Sequence, residues 1–416
     1  MYADRVGELT LARSALWSPF AGAIDELAIY DRALSDDEMA VAAGLARAVA
    51  LPSPTPLPTP TPLPRLPVEQ GPLPREGLPE GKDVAAHVSV EERAGFTVYR
   101  FGGPLARVQP LDLDLGMDAV WVGTSLGLLR HDPRSGSWRQ WDETSGLPGE
   151  RLDQIAVVGG RVIVDASRST GPGTALGLGV FAFEVAGHTW TPTRVSGQVW
   201  DLWGDGATLW VGTGSGAEAD ALETGHVRRF TRAAGELVND NVRAVRRHRE
   251  TVAFAALGDW WKEKKDFIGG GVTLWERARN QFSSYTIGHG LARGYSCDVF
   301  LDDDEVFVAH WDEERGLSRI DRRTGRVEVL RRSANGIDLG GVVLAGERET
   351  LWIGQQGALV RLDRRSRQAT ALRERDGLPG YIVSGIVIGE DAVWVSAYAY
   401  GQGGIRSAGL VRFERR

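Results

Sequence analysis

Four short stretches carry the side chains that could do chemistry. In Leu257-Gly-Asp-Trp-Trp-Lys-Glu-Lys-Lys-Asp-Phe267, Trp260 and Trp261 stand beside Lys262, Lys264 and Lys265, three of the four lysines in the chain. Exposed tryptophan beside charge suits stacking on a sugar ring or anchoring a protein partner; the competing reading folds one or both rings inward. In His310-Trp311-Asp312, an imidazole with a nearby carboxylate offers a general base or a metal ligand, against the plainer reading of an exposed polar loop. Tyr398, Tyr400 and Arg406 supply two aromatic rings and a cation within one glycine-rich stretch, which could equally be loop packing. Asp302-Asp-Asp-Glu305 has the acidity of a calcium loop but lacks its glycine and its downstream bidentate glutamate, so it reads as a turn. The seven histidines show no metal spacing, and no nucleophile elbow, phosphate loop or dinucleotide fingerprint is present. The sequence therefore assigns no metal and no cofactor. A binding site is expected from Trp260, Trp261, Lys262, His310, Trp311, Tyr398, Tyr400 and Arg406, with His310 and Asp312 as a weak catalytic alternative.

These residues sit on a repeat. The phrase Ala119-Val-Trp-Val-Gly-Thr124 recurs as Thr208-Leu-Trp-Val-Gly-Thr213, Thr350-Leu-Trp-Ile-Gly354 and Ala392-Val-Trp-Val-Ser396, with worn copies at Arg161–Val164, Thr251–Ala255 and Glu305–Ala309. Its central residues, Trp121, Ile163, Trp210, Phe254, Phe307, Trp352 and Trp394, are spaced by 42, 47, 44, 53, 45 and 42 residues. A period of about 40–50 residues is the length of a four-stranded propeller blade. A large residue at one position of every unit is read as packing between sheets, not as a ligand ladder. Strand c reads Gly-Leu-x-Arg-x-Asp in several units, as in Gly127–Asp132 and Gly316–Asp321, and a further short strand follows. The reading is all-β, with strands a to d in each unit and the repeated phrase as strand b.

The ends of the array predict how it closes. Strand c of the last unit, Gly409-Leu-Val-Arg-Phe413, is followed by three residues and no strand d. Phe96-Thr-Val-Tyr-Arg-Phe101 is an orphan strand d at the other end. Pairing the two (residues ~96–102 with the last blade) completes a seven-bladed ring and covers an open sheet edge. Within each blade the d–a and b–c connections share one face. The b–c connections are long in blades 2, 4, 5 and 7, so the candidate residues gather on that face, where function usually resides.

Two other regions precede the propeller of residues 95–416. Residues 49–94 read as a linker, since eleven of the nineteen prolines fall between Pro52 and Pro79 and alternating proline favours stiff polyproline II. In residues 1–48, Gly22-Ala-Ile-Asp-Glu-Leu-Ala-Ile-Tyr-Asp-Arg-Ala-Leu-Ser35 and the acidic helix start after it resemble the last strand of laminin-G-like, concanavalin-A-like jelly rolls, covering only the C-terminal fragment of such a domain. The start of the chain lacks the basic and apolar regions of a secretory leader and is read as other than the natural N-terminus.

Leu-Trp-Val-Gly-Thr, Gly-Leu-x-Arg-x-Asp and the Gly-Leu-Pro before the next blade (Gly146–Pro148, Gly377–Pro379) resemble the two-component-regulator propeller repeat over residues 95–416. That resemblance implies an extracytoplasmic sensor domain, and with the jelly-roll likeness it implies a secreted, periplasmic or cell-surface protein. The chain departs from the fullest family pattern in having seven blades and no kinase or membrane span after them, so a signalling output is not supported by it. A net charge of −7 argues against nucleic acid, and no run of 18 apolar residues spans a membrane. The expectation is a monomeric, non-catalytic extracellular module that binds a carbohydrate or a surface partner on its long-looped face. A sensor input domain and a polysaccharide lyase or hydrolase are the alternatives.

Overall fold

The computed structural model describes residues 80–171, 174–195, 197–262, 266–311 and 316–415. The jelly-roll-like fragment, the proline-rich stretch to residue 79 and Asp312 lie outside the described residues, as does the side chain of Trp261.

Seven antiparallel sheets follow one another along the chain, six built from strands a to d in chain order and the last taking its strand d from the start of the array. Blade 1 runs Pro110–Gly116, Ala119–Thr124, Gly127–Asp132 and Ser137–Trp141. Blade 4 runs Val242–His248, Thr251–Ala256, Gly271–Glu276 and Gln281–Tyr285. The a strands touch one another in order, and that of blade 7, Ile382–Ile388, returns to that of blade 1. The sheets thus stand around a ring with strand a innermost. The fold is the seven-bladed β-propeller that the period predicts.

The repeated phrase owes its composition to packing. All seven central residues are buried: Trp121, Ile163 and Phe254 are fully enclosed, and Trp210, Phe307, Trp352 and Trp394 nearly so. Fully burying each contributes on the order of 2–3 kcal/mol and fills the wedge between adjacent sheets. The arginine of strand c faces this residue across the ladder. Arg130 lies 5.8 Å over Trp121, Arg361 5.7 Å over Trp352 and Arg412 6.0 Å over Trp394. The aspartate that ends strand c caps the c–d turn: Asp132 accepts the N–H groups of Arg134 and Ser135, and Asp321 that of Thr324. The glycine that opens strand c is required by a close approach. At Gly127, with φ +105°, a Cβ would lie 2.1 Å from the carbonyl oxygen of Trp141.

The ring closes as the orphan strand predicts. Phe96–Phe101 pairs with Gly404–Glu414 in the register Phe96↔Phe413 to Arg100↔Gly409, with Val98 fully buried in the seam. The propeller sheets also take in residues that composition assigned to the linker of 49–94. Val88–Arg93 forms a hairpin with Phe96–Phe101 and makes blade 7 five-stranded, while Lys82–Asp83 adds to the rim of blade 1 through Lys82↔Gln140. The proline-rich run ends at Pro79 and the next proline is Pro104, so residues 80–103 keep the N–H donors that a ladder needs.

Candidate functional site

The b–c face is built of raised hairpins. In blade 2 the strands Arg161–Gly171 and Thr174–Glu184 run on past the body of the sheet, and in blade 7 Ala392–Gly401 and Gly404–Glu414 do the same. Blade 4 carries a separate small hairpin, Asp259–Trp261 with Asp266–Ile268. Its foot is cinched by glycine: Gly258 donates its N–H to the Gly294 carbonyl at 2.8 Å, and a Cβ on Gly270 would lie 2.0 Å from that same oxygen. Trp260 and Phe267 are cross-strand partners on this hairpin.

Beneath the hairpins, strand a of six blades carries one residue left out of the pairing near its start. These bulged residues are Leu111, Asp153, Trp200, Arg243, Cys297 and Ser384. A bulge re-aims a side chain at a sheet rim. On blades 3, 4 and 5 the result is one aromatic and cationic cluster. Arg243 lies 3.9 Å over the ring of Trp200 and 5.7 Å over Tyr295. Tyr295 stacks on Trp311 at 5.6 Å and 11°, and meets Phe267 edge-on at 4.8 Å. Phe267 meets Trp260 at 5.0 Å and receives Arg293 at 5.5 Å. Trp260 and Trp311, at the two ends, are 53% and 56% exposed.

The residues expected from sequence divide accordingly. Trp260 and Trp311 join this cluster, and Lys262 is exposed beside it. Trp261 lies in the same hairpin. Tyr398, Tyr400 and Arg406 form a second group on blade 7: the tyrosines meet edge-on at 5.4 Å and Arg406 donates to Glu374 at 2.6 Å. No ring contact or hydrogen bond between the two groups is seen among the described residues. Burial, with Tyr400 beside it, pushes the Tyr398 phenol up to about 12 and keeps it neutral.

His310 departs from its expected role. It is wholly buried, its Nδ1 donating to the Tyr295 carbonyl at 3.3 Å and its Nε2 accepting from the Ser318 hydroxyl at 2.8 Å. Burial pushes its pKa down to about 4, despite the hydrogen bond to Tyr295. An imidazole sealed from solvent and already bonded at both nitrogens neither contacts a ligand nor relays a proton to one. Its work is to hold Tyr295, whose carbonyl also accepts the Trp311 N–H at 3.4 Å. Burial likewise pushes the Cys297 thiol up to about 12, which disfavours the thiolate.

The innermost strands carry a set of carboxylates. Carboxylates stitch neighbouring a strands together: Asp112 accepts the Ile155 N–H at 2.9 Å, Asp114 that of Val157 at 2.7 Å, Asp201 that of Val245 at 2.8 Å and Asp298 that of Leu344 at 2.9 Å. Arg246 bridges Asp201 at 2.7 Å and Asp298 at 3.1 Å. Burial raises Asp112 to about 8 and Asp114 to about 6, although neither side chain is wholly enclosed. Among the described residues no group of acidic, histidine or cysteine side chains is arranged to hold a metal. The Asp302 turn behaves as its sequence predicts: its carboxylate caps the N–H groups of Asp304 and Glu305.

No protein-family model matches the chain, and no curated protein matches it in sequence. Solved structures do resemble it. The WD40 repeats of RRP9 share 12% identity at a TM-score of 0.53, covering 79% of this chain and 100% of that one. YCF48 from Cyanidioschyzon merolae shares 12% at 0.52, covering 77% and 99%. Both likenesses are to the propeller fold alone. The extracellular domain of a protein described as a hybrid two-component system from B. thetaiotaomicron shares 13% at 0.41, with 74% of this chain covered and 33% of that one. No helix among the described residues is long and apolar enough to cross a membrane.

Proposed function

We propose that this protein is a non-catalytic, extracellular binding module whose ligand, a carbohydrate or a surface partner, docks on the b–c face. One observation carries the reading. Eight large apolar side chains are exposed among the described residues, and all but Val90 lie on the connections of that face: Leu126, Leu176, Trp260, Ile268, Ile287, Trp311 and Tyr400. Exposed apolar groups scatter singly over an idle surface; gathered on one side of a rigid scaffold they mark recognition. The burial of His310 removes the best candidate for acid–base catalysis and favours binding over the lyase or hydrolase alternative. Service as a sensor input domain would use the same face, with binding read out elsewhere on the polypeptide.

The test is a glycan array probed with the wild-type protein and with a Trp260→Ala, Trp311→Ala variant. Each ring is more than half exposed, so the variant stays folded with only a small drop in melting temperature. Losing two stacking surfaces worth ~1 kcal/mol each weakens binding about tenfold or more. A variant that binds like wild type refutes the site.

A further inference from the structure

Arg243 stands at the centre of the aromatic cluster without an acidic partner. Arg246, three residues on, has two carboxylates within 3.1 Å, and Arg364 between blades 5 and 6 has Asp302 at 2.6 Å and Glu305 at 2.5 Å. Arg243 is half-buried, yet its guanidinium forms no ion pair and donates no hydrogen bond among the described residues; its contacts are the ring faces of Trp200 and Tyr295. A guanidinium has five N–H donors in a planar fork, and stacking against its face satisfies none of them. Trp200 is left in a similar state, its buried indole N–H having no acceptor. The indole N–H is the weaker sign, since those of Trp141, Trp190 and Trp210 in the blade cores also find no acceptor among the described residues. A half-buried guanidinium without an ion pair is uncommon and marks a place for an anion.

The surroundings suit a carboxylate on a flat, partly apolar ligand. Arg243 lies 5.7 Å over Tyr295 and Arg293 5.5 Å over Phe267, two rings 4.8 Å apart, so two guanidinium groups converge on one aromatic floor. From that floor the Tyr295–Trp311 stack leads outward to an exposed indole, and the Phe267–Trp260 pair leads to a second. The main chain around the floor is already committed: Leu257 bridges to Tyr295, Gly258 donates to Gly294 and Trp311 donates to Tyr295. An acidic peptide adding as a strand finds no free ladder there, whereas a pyranose needs only ring faces and a fork.

We propose that the ligand of this face is an oligosaccharide bearing uronate carboxylates, with Arg243 taking the carboxylate and Trp311 and Trp260 carrying the sugar faces. This rests on the b–c face being the binding face.

Calorimetric titration of the intact protein with oligogalacturonate, a neutral cello-oligosaccharide of equal length and an oligoglutamate peptide tests it. Oligogalacturonate binds and loses affinity with added salt, and the neutral oligomer binds at least tenfold more weakly. Arg243→Met, which keeps the stem over Trp200, costs about tenfold to a hundredfold by removing a charge-assisted hydrogen bond; Arg243→Lys, which keeps the charge without the fork, falls between. Thermal melting of each variant shows whether the fold is kept. The uronate assignment is overturned by equal binding of the neutral oligomer, by oligoglutamate matching the uronate, by indifference to both Arg243 substitutions, or by no binding of oligogalacturonate. Neutral glycans that bind in a Trp260- and Trp311-dependent way would overturn it while leaving the binding face intact.

Discussion

Gly409 sits where the two ends of the propeller meet. A Cβ at this position would lie 2.0 Å from the Tyr99 carbonyl oxygen, 3.0 Å from the Tyr99 carbonyl carbon and 3.2 Å from the Arg100 Cα. All three are backbone atoms, so no side chain can swing aside. Gly409→Ala therefore drives strand Phe96–Phe101 away from the last blade by about 1 Å to reach an ordinary contact. The displacement falls on the Arg100↔Gly409 and Tyr99↔Leu410 pairs of the closing ladder. Two weakened ladder bonds at ~1 kcal/mol each, with overpacking strain of similar size, give a loss of about 2–4 kcal/mol. Urea unfolding measures the total, and amide exchange locates it: Val98 and Tyr99 should lose protection while Trp210 and Phe254 in blades 3 and 4 keep theirs. Gly177→Ala is the control, since nothing lies within 4 Å of its Cβ position. A loss below about 1 kcal/mol, or uniform deprotection across all blades, refutes the argument that this contact closes the ring.

Two further predictions concern buried charge. His310 has its pKa pushed down to about 4, against 6.5 in an unfolded chain. The unfolded state therefore takes the proton first, and the contribution of His310 is whole above about pH 6.5 and lost as pH falls toward 4. A shift of that size amounts to about 3 kcal/mol, so His310→Gln should flatten the fall in urea midpoint between pH 6.5 and 4.5; a slope equal to wild type counts against it. Arg246→Met should cost about 3 kcal/mol near neutral pH by leaving Asp201 and Asp298 buried without their cation, and less in acid, because burial already raises the Asp298 carboxyl. A loss under 1 kcal/mol, or one that grows in acid, contradicts the bridging role.

What the sequence reveals and hides follows from the range of each interaction. Burial of Trp121 or Phe254 is written into local alternation, and closure by Phe96–Phe101 into a missing strand. The role of His310 was also legible. Aligning Phe307-Val-Ala-His310 with Trp121-Val-Gly-Thr124 puts the imidazole where Thr124 and Thr213 cap their turns by donating to Gly127 and Gly216. The strands at 82–83 and 88–93 were hidden because they are short, charged and mostly exposed, held by pairing instead of apolar pattern. Trp200 and Arg243 were hidden for a different reason. A bulge shifts the in–out phase of a strand by one residue, and only the paired register shows that the shift brings them together.

The seam in blade 7 also decides how the ring bears force. The registers Val88↔Phe101 and Phe96↔Phe413 place residue 88 and residue 413 at opposite ends of the blade. Tension applied between these positions pulls the outer strand and the last strand past each other along their own axes. Antiparallel ladder bonds run perpendicular to the strands, so they share the load together instead of opening one after another. A pull transmitted along the polypeptide thus loads this joint in shear, the orientation in which a sheet is hardest to part.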